Sequence, residues 1–205
     1  MKIISIGSNC NVRDFIRKNY NMETYPFDWL ITNINFLIDV FETSTLDFCS
    51  IENLYYDFSH NTIHIMNKNT EWSALSIHDT KGLGLNRQLF IQKIPVINKK
   101  YQRRFERLYN VLHSDKEIFL IRQILEEQQS VSQEHDSLEK LNYLLSLLEN
   151  KFNKNIIICI VNSERPHHKT NFNDLKLNSK HLKKNIKLFN SFSEIKTYID
   201  NHINS

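Results

Sequence analysis

The sequence predicts an α/β fold: a mostly parallel central sheet, helices on both faces and a β-hairpin insertion. Three observations predict it. Unbroken apolar runs at 118–121 and 156–161 have the length and composition of strands buried on both faces. Segments with apolar residues at helical spacing alternate with these runs, the order expected of βαβ units. Between 62 and 77 the period drops to two, with Ile63 and Ile65 flanking His64. A polar Asn67-Lys68-Asn69 turn and then Trp72, Leu75 and Ile77 complete the hairpin. At 205 residues a single domain, 1–205, is expected, and the chain is long enough to bury a full core.

Taken in order, Ile3, Ile4 and Ile6 make the first strand and Gly7-Ser8-Asn9-Cys10 the turn that leaves it. Val12, Phe15 and Ile16 then share one helical face, with Arg13, Arg17 and Lys18 on the other, and Asn9 or Asn11 as the cap. Residues 25–29, Tyr-Pro-Phe-Asp-Trp, read as an extended aromatic segment, since Pro26 disfavours helical backbone at Tyr25. Thr32 or Asn33 opens a helix whose apolar face is Phe36, Leu37, Val40 and Phe41. Residues 46–58 carry no assignable period. His78-Asp79 closes the hairpin, and residues 81–84 form a turn or loop.

Tyr101, Phe105, Leu108 and Leu112 mark the next helix, and a polar loop is expected at 126–135. Asp136 and Glu139 form a capping box for a helix bearing Leu138, Leu141, Leu144, Leu145 and Leu148. A second polar loop is expected at 163–179 and a short strand at 186–189. Ser191 with Glu194 caps a last helix through Ile195, Tyr198 and Ile199.

Composition narrows the function classes. A net charge of +3, with Lys and Arg scattered and no basic run interleaved with aromatics, argues against nucleic-acid binding. No signal peptide or membrane span is read, so no membrane partner is expected. Cys10, Cys49 and Cys159 are odd in number, widely spaced and without CxxC, which points to a reducing, cytoplasmic setting rather than a disulfide framework. Without HExxH, paired Cys/His spacing or an Asp-rich loop, no metal is expected, and without a phosphate-cradling loop no cofactor. The expected partner is a peptide or small anionic substrate. Oligomeric state is not legible.

Cys10 is the residue on which chemistry can be built. It stands at a strand-to-helix turn, where free N–H groups and the positive end of the helix dipole favour a thiolate and can hold an oxyanion. The plain alternative is a small buried hydrophobe, which is also the reading for Cys159 inside its apolar strand. A nucleophilic cysteine needs a base, and His78 is the best placed of nine histidines, ending a strand beside Asp79. Its alternative is a surface turn histidine. His64, alternating with isoleucines, is expected to face solvent, and His167-His168 lies in a polar loop. Other nucleophile templates fail: there is no GxSxG elbow, the arginine of a phosphatase loop is replaced by Ile16, and the SGNH serine position holds Asn9.

Five blocks, in order, carry a resemblance: Ser5-Ile6-Gly7-Ser8-Asn9-Cys10, the Tyr-Pro-Phe-Asp-Trp of 25–29, Ile77-His78-Asp79, Tyr101-Gln102-Arg103-Arg104-Phe105-Glu106-Arg107-Leu108, and Phe119-Leu120-Ile121-Arg122. Over roughly residues 2–122, and more weakly at the strand ending Val161-Asn162, the chain resembles the family described as putative papain-like cysteine peptidases, DUF1796. The resemblance implies Cys10 as nucleophile and His78 as base, with Asp79, Asp28 or Asn162 to orient the imidazole and Asn9 to help hold the oxyanion. Because neighbouring strand side chains point to opposite faces, Asp79 is poorly placed for that task. Ser8, Trp29, Arg104 and Arg122 become candidate substrate-binding residues, with Arg103 a further cation; Asp28 and Trp29 can equally be structural. The family's label implies a papain-like α+β fold, the runner-up to the parallel sheet that the periodicity predicts.

Two function classes follow. In the first the protein is a cysteine hydrolase or acyltransferase acting on an amide, thioester or ester. In the second it is a non-hydrolytic binding module in which Gly7-Ser8-Asn9, Arg104 and Arg122 hold a nucleotide, sugar-nucleotide or other anionic ligand and Cys10 only packs.

Overall fold

A computed structural model describes residues 1–7, 10–20, 23–43, 53–57, 59–67, 70–76, 78–79, 86–114, 116–124, 136–162 and 169–204. In chain order the elements are β1 (Lys2–Ser5), α1 (Cys10–Asn19), β2 (Leu30–Thr32), α2 (Ile34–Thr43), β3 (Leu54–Asp57), β4 (Thr62–Asn67) and β5 (Thr70–Ser76). They continue with α3 (Arg87–Leu112), β6 (Ile118–Gln123), α4 (Leu138–Phe152), β7 (Ile156–Val161), α5 (Lys169–Leu177), β8 (Ile186–Phe189) and α6 (Phe192–Ile203).

The continuous apolar runs form a parallel sheet, ordered β1-β6-β7-β8. Alternation sends Ile3, Phe119, Ile121, Ile157, Cys159 and Val161 to one face, where they join Val12 and Ile16 of α1 and Ile195 and Ile199 of α6. Ile4, Ile118, Leu120, Ile156, Ile158 and Ile160 belong to the core on the other face, with the leucines of α4 and with Leu108 and Leu112 of α3. The predicted α/β class, with helices on both faces, is the one found.

The expected hairpin is β4 and β5. It is the middle of a second, antiparallel sheet ordered β2-β5-β4-β3. The strand β3 falls in the stretch left unassigned, because Tyr56 is its one fully buried side chain and a single anchor makes no period. Tyr56, Ile63, Ile65 and Ala74 lie in the same core as Ile4 and Leu120.

Several expectations are corrected. Residues 25–29 turn rather than extend: Asp28 Oδ2 accepts the Tyr25 N–H at 2.8 Å, and the Leu30 N–H reaches the Phe27 carbonyl at 3.2 Å. A local carboxylate bond outcompetes the extended preference. His64 is 5% exposed, not solvent-facing; its Nε2 sits 3.2 Å from Thr62 Oγ1, and the Tyr55 ring lies beside it. The helix carrying Tyr101 begins fourteen residues earlier than its periodic stripe, at Arg87, where Asn86 caps it through bonds from the Gln88 and Leu89 N–H groups.

The cap of α4 is Ser137, which accepts from the Lys140 N–H at 3.2 Å, leaving Asp136 for another partner. The polar stretch 163–179 contains α5, whose buried anchors Phe172 and Leu175 are too few to make a stripe. Ser191 does cap α6. The expected loops at 81–84 and 126–135 lie outside the described residues, as does most of 46–58. Among the described residues no helix is long and apolar enough to cross a membrane.

Candidate active site

Two segments, one leaving each sheet, bring the chemistry together. The first follows β1. Gly7 takes φ of 87°, a left-handed conformation that side chains resist, and the chain re-enters regular structure at Cys10, the first residue of α1. The second follows β5, where the Ser76 hydroxyl accepts the Asp79 N–H at 3.3 Å and so closes a turn around His78. Across the gap, Cys10 Sγ lies 3.0 Å from His78 Nε2. Cys10 is half-buried and His78 exposed. The Trp29 ring stands against the imidazole, with centroids 4.8 Å apart and planes tilted by 58°.

Burial pushes the Cys10 thiol above its ordinary value of 9.0, and the Asp14 carboxylate, one turn along α1, adds to the rise; the Cys10 main-chain N–H pulls the other way. Burial thus opposes the thiolate that a helix start favours. Cys159 is fully buried, and burial lifts its thiol to about 12. Cys49, His167, His168, Ser8 and Asn9 lie outside the described residues.

Asp79 does not orient the imidazole. Its Oδ2 accepts from the Ser76 hydroxyl at 2.7 Å and from the Tyr101 hydroxyl at 2.9 Å, while its Oδ1 takes the Lys100 ammonium. Asp28 is also committed elsewhere. Fully buried, it caps its own turn through the Tyr25 N–H, and Arg13 Nε lies 3.4 Å from its Oδ2. Asn162, just after β7, receives a bond from Gln123 Nε2 on its carbonyl; among the described contacts none joins it to His78. Nor is there an acceptor at His78 Nδ1 among the described residues.

The arginines divide. Arg122 is 2% exposed and every one of its donors is spent: Nε and Nη2 on the two Asp136 oxygens at 2.7 and 2.8 Å, Nη2 also on the Thr32 carbonyl, and Nη1 on the Ile6 carbonyl and Thr32 Oγ1. It is a brace between sheets and has no donor left for a substrate, which corrects the substrate-binding expectation. Arg104 is different. Its guanidinium lies over the Tyr101 ring, and its Nε and Nη1 are buried with no acceptor among the described atoms. Arg103 is exposed.

Burial also raises the Asp28 carboxyl, from 3.8 to about 6, against the pull of the Tyr25 N–H and of Arg13, Arg104 and Arg107. A carboxyl whose pKa is higher in the folded state stabilises the fold below its unfolded value and loses that contribution as pH rises through the folded one. From about pH 4 to 6 the wild-type protein therefore loses stability relative to Asp28→Asn. Paired thermal melts across that range should show the gap in Tm moving in the variant's favour; a constant gap refutes the shift.

Residues 1–165 match the family model described as putative papain-like cysteine peptidase, DUF1796. The chain belongs to this family. Comparison with curated proteins and with solved structures finds no match. The part of this DUF1796 chain that the family model covers holds both sides of the Cys10–His78 contact, together with Trp29, Asp79, Lys100, Tyr101 and Arg122; β8 and α6 fall beyond it. Sequence reasoning missed the roles of Ser76, Lys100 and Tyr101. Tyr101 fits a helical apolar stripe, which hides its hydroxyl, although a tyrosine in a stripe otherwise of Phe and Leu does signal a buried polar partner.

Proposed function

We propose that the protein is a cysteine hydrolase or acyltransferase, with Cys10 as nucleophile and His78 as general base. The observation that carries this is the 3.0 Å contact between Cys10 Sγ and His78 Nε2, made between the start of α1 and the segment after β5, with Cys10 half-buried and His78 exposed. Burial raises the thiol pKa, which favours a step in which His78 takes the proton as the sulfur attacks. The sulfur–acyl bond forms, the carbonyl oxygen gathers charge near the positive end of the α1 dipole, and the leaving group departs with the proton from His78. Water, or an acceptor in the transferase case, then attacks the thioester with His78 again as base.

The substrate is a peptide or a small anionic acyl compound. Arg104, with two buried donors unspent, suits an anionic group on it, and Trp29 offers an apolar wall beside the imidazole. The second class, a binding module, loses one of its arginines to the Arg122 brace. Two thiols that the structure leaves unpaired, Cys10 and Cys159, fit a reducing compartment such as the cytosol.

The test needs no knowledge of the natural substrate. Mixed with p-nitrophenyl acetate, the protein should be acetylated at Cys10 and not at Cys159, as located by peptide mass spectrometry. His78→Ala should slow that step by about a hundredfold or more. An acetylation rate that His78→Ala leaves unchanged removes the proposal.

A further inference from the structure

The dyad has no carboxylate behind its imidazole among the described residues, so something else must hold His78 on the sulfur. Two contacts on the chain itself could do so. One is the Trp29 ring. The other is the turn closed by Asp79, whose carboxylate gathers donors from two elements: Ser76 at the end of β5, and Lys100 and Tyr101 from α3. Tyr101 is 1% exposed, and phenylalanine would fill its place in the core; its hydroxyl is spent on Asp79. The Lys100 ammonium, mostly covered, lies over the Tyr101 ring at 4.7 Å and ends on the same carboxylate. His78 lies between Ser76 and Asp79, so fixing both of them restrains the backbone from which the imidazole projects.

We propose that Lys100, Tyr101 and Ser76 act through Asp79 as positioning residues, clamping the turn so that His78 meets Cys10. The inference deepens the dyad reading and rests on it. Asp79 is then a backbone anchor, and the histidine's orientation comes from α3 through the main chain. No bond to the imidazole is needed. A misplacement of about 1 Å at such a contact can cost a hundredfold in rate, which is the scale on which a clamp would be felt.

The experiment compares wild type, Tyr101→Phe and Lys100→Met, each with and without His78→Ala. Two readouts are taken: the rate of Cys10 acetylation by p-nitrophenyl acetate as a function of pH, and the NMR position of the His78 Cε1–H. Tyr101→Phe is expected to slow acetylation by about ten- to a hundredfold in the His78 protein and to change nothing when His78 is absent, since the clamp acts only through that residue. In the wild type the Trp29 ring, 4.8 Å away, is expected to displace the Cε1–H signal, and in the variant that signal should move towards that of a free histidine. An equal slowing in the His78→Ala background, or an unmoved signal, overturns the clamp.

If the wild type itself is not acetylated, the dyad reading fails; the NMR shift still decides whether the clamp exists. Should Tyr101→Phe fail to fold, Lys100→Met, at a partly exposed position, is read by the same two measurements with the same expected and overturning results.

Discussion

Replacing Asp136 by alanine is expected to destabilise the protein by about 3–5 kcal/mol, the scale for stripping one partner from a buried ion pair. Arg122 is 2% exposed and Asp136 5% exposed, and the bidentate contact between them is the only charge compensation that the described residues show for that guanidinium. Without the carboxylate, Nε loses its acceptor among the described residues and a full positive charge stays in the core. Asp136→Asn keeps one acceptor oxygen and should fall between. Exchanging both residues for Met and Leu does not restore stability here, because Arg122 also donates to the Ile6 and Thr32 carbonyls, which would be left bare. Urea denaturation of the three variants checks the order; an Asp136→Ala loss below about 1 kcal/mol would show that the pair is dispensable.

Gly7→Ala is the second large effect, expected at about 2–4 kcal/mol. The φ of 87° strains any residue with a Cβ, and a Cβ built there collides with Thr32 Oγ1 and lies 3.0 Å from Thr32 Cγ2. Thr32 cannot yield cheaply. Its hydroxyl donates to the Ile6 carbonyl and accepts from Arg122, so pushing it aside disturbs the brace as well as the turn. Cys10 follows three residues later, and its acetylation should drop along with stability. Denaturant melts and the p-nitrophenyl acetate rate, taken on the same preparation, check both. Wild-type values for either would mean that the turn absorbs the methyl.

What the sequence displays depends on how far apart the cooperating residues lie. The strands β6 and β7 are legible because the runs 118–121 and 156–161 are apolar without interruption, and the β4–β5 hairpin because its period is two. A capping pattern starting at Asp136 and one starting at Ser137 look alike along the chain. The residue that claims Asp136 stands fourteen positions earlier on another element, where no local rule reaches. His64 misleads for a related reason: alternation assigns a face but cannot say whether that face is later covered.

The contact between Cys10 and His78 spans 68 positions, and periodicity carries no trace of it; family resemblance points to those two residues. Asp79 illustrates the opposite error. Adjacency to a histidine suggests partnership, yet its oxygens are taken by residues more than twenty positions away on α3 and by Ser76.

The sulfur and the imidazole belong to different sheets, one following β1 of the parallel layer and the other following β5 of the antiparallel one. Neither layer alone holds both groups. On the proposed reading, activation of the thiol at position 10 therefore needs the two layers docked, and its acetylation rate during refolding would report that docking.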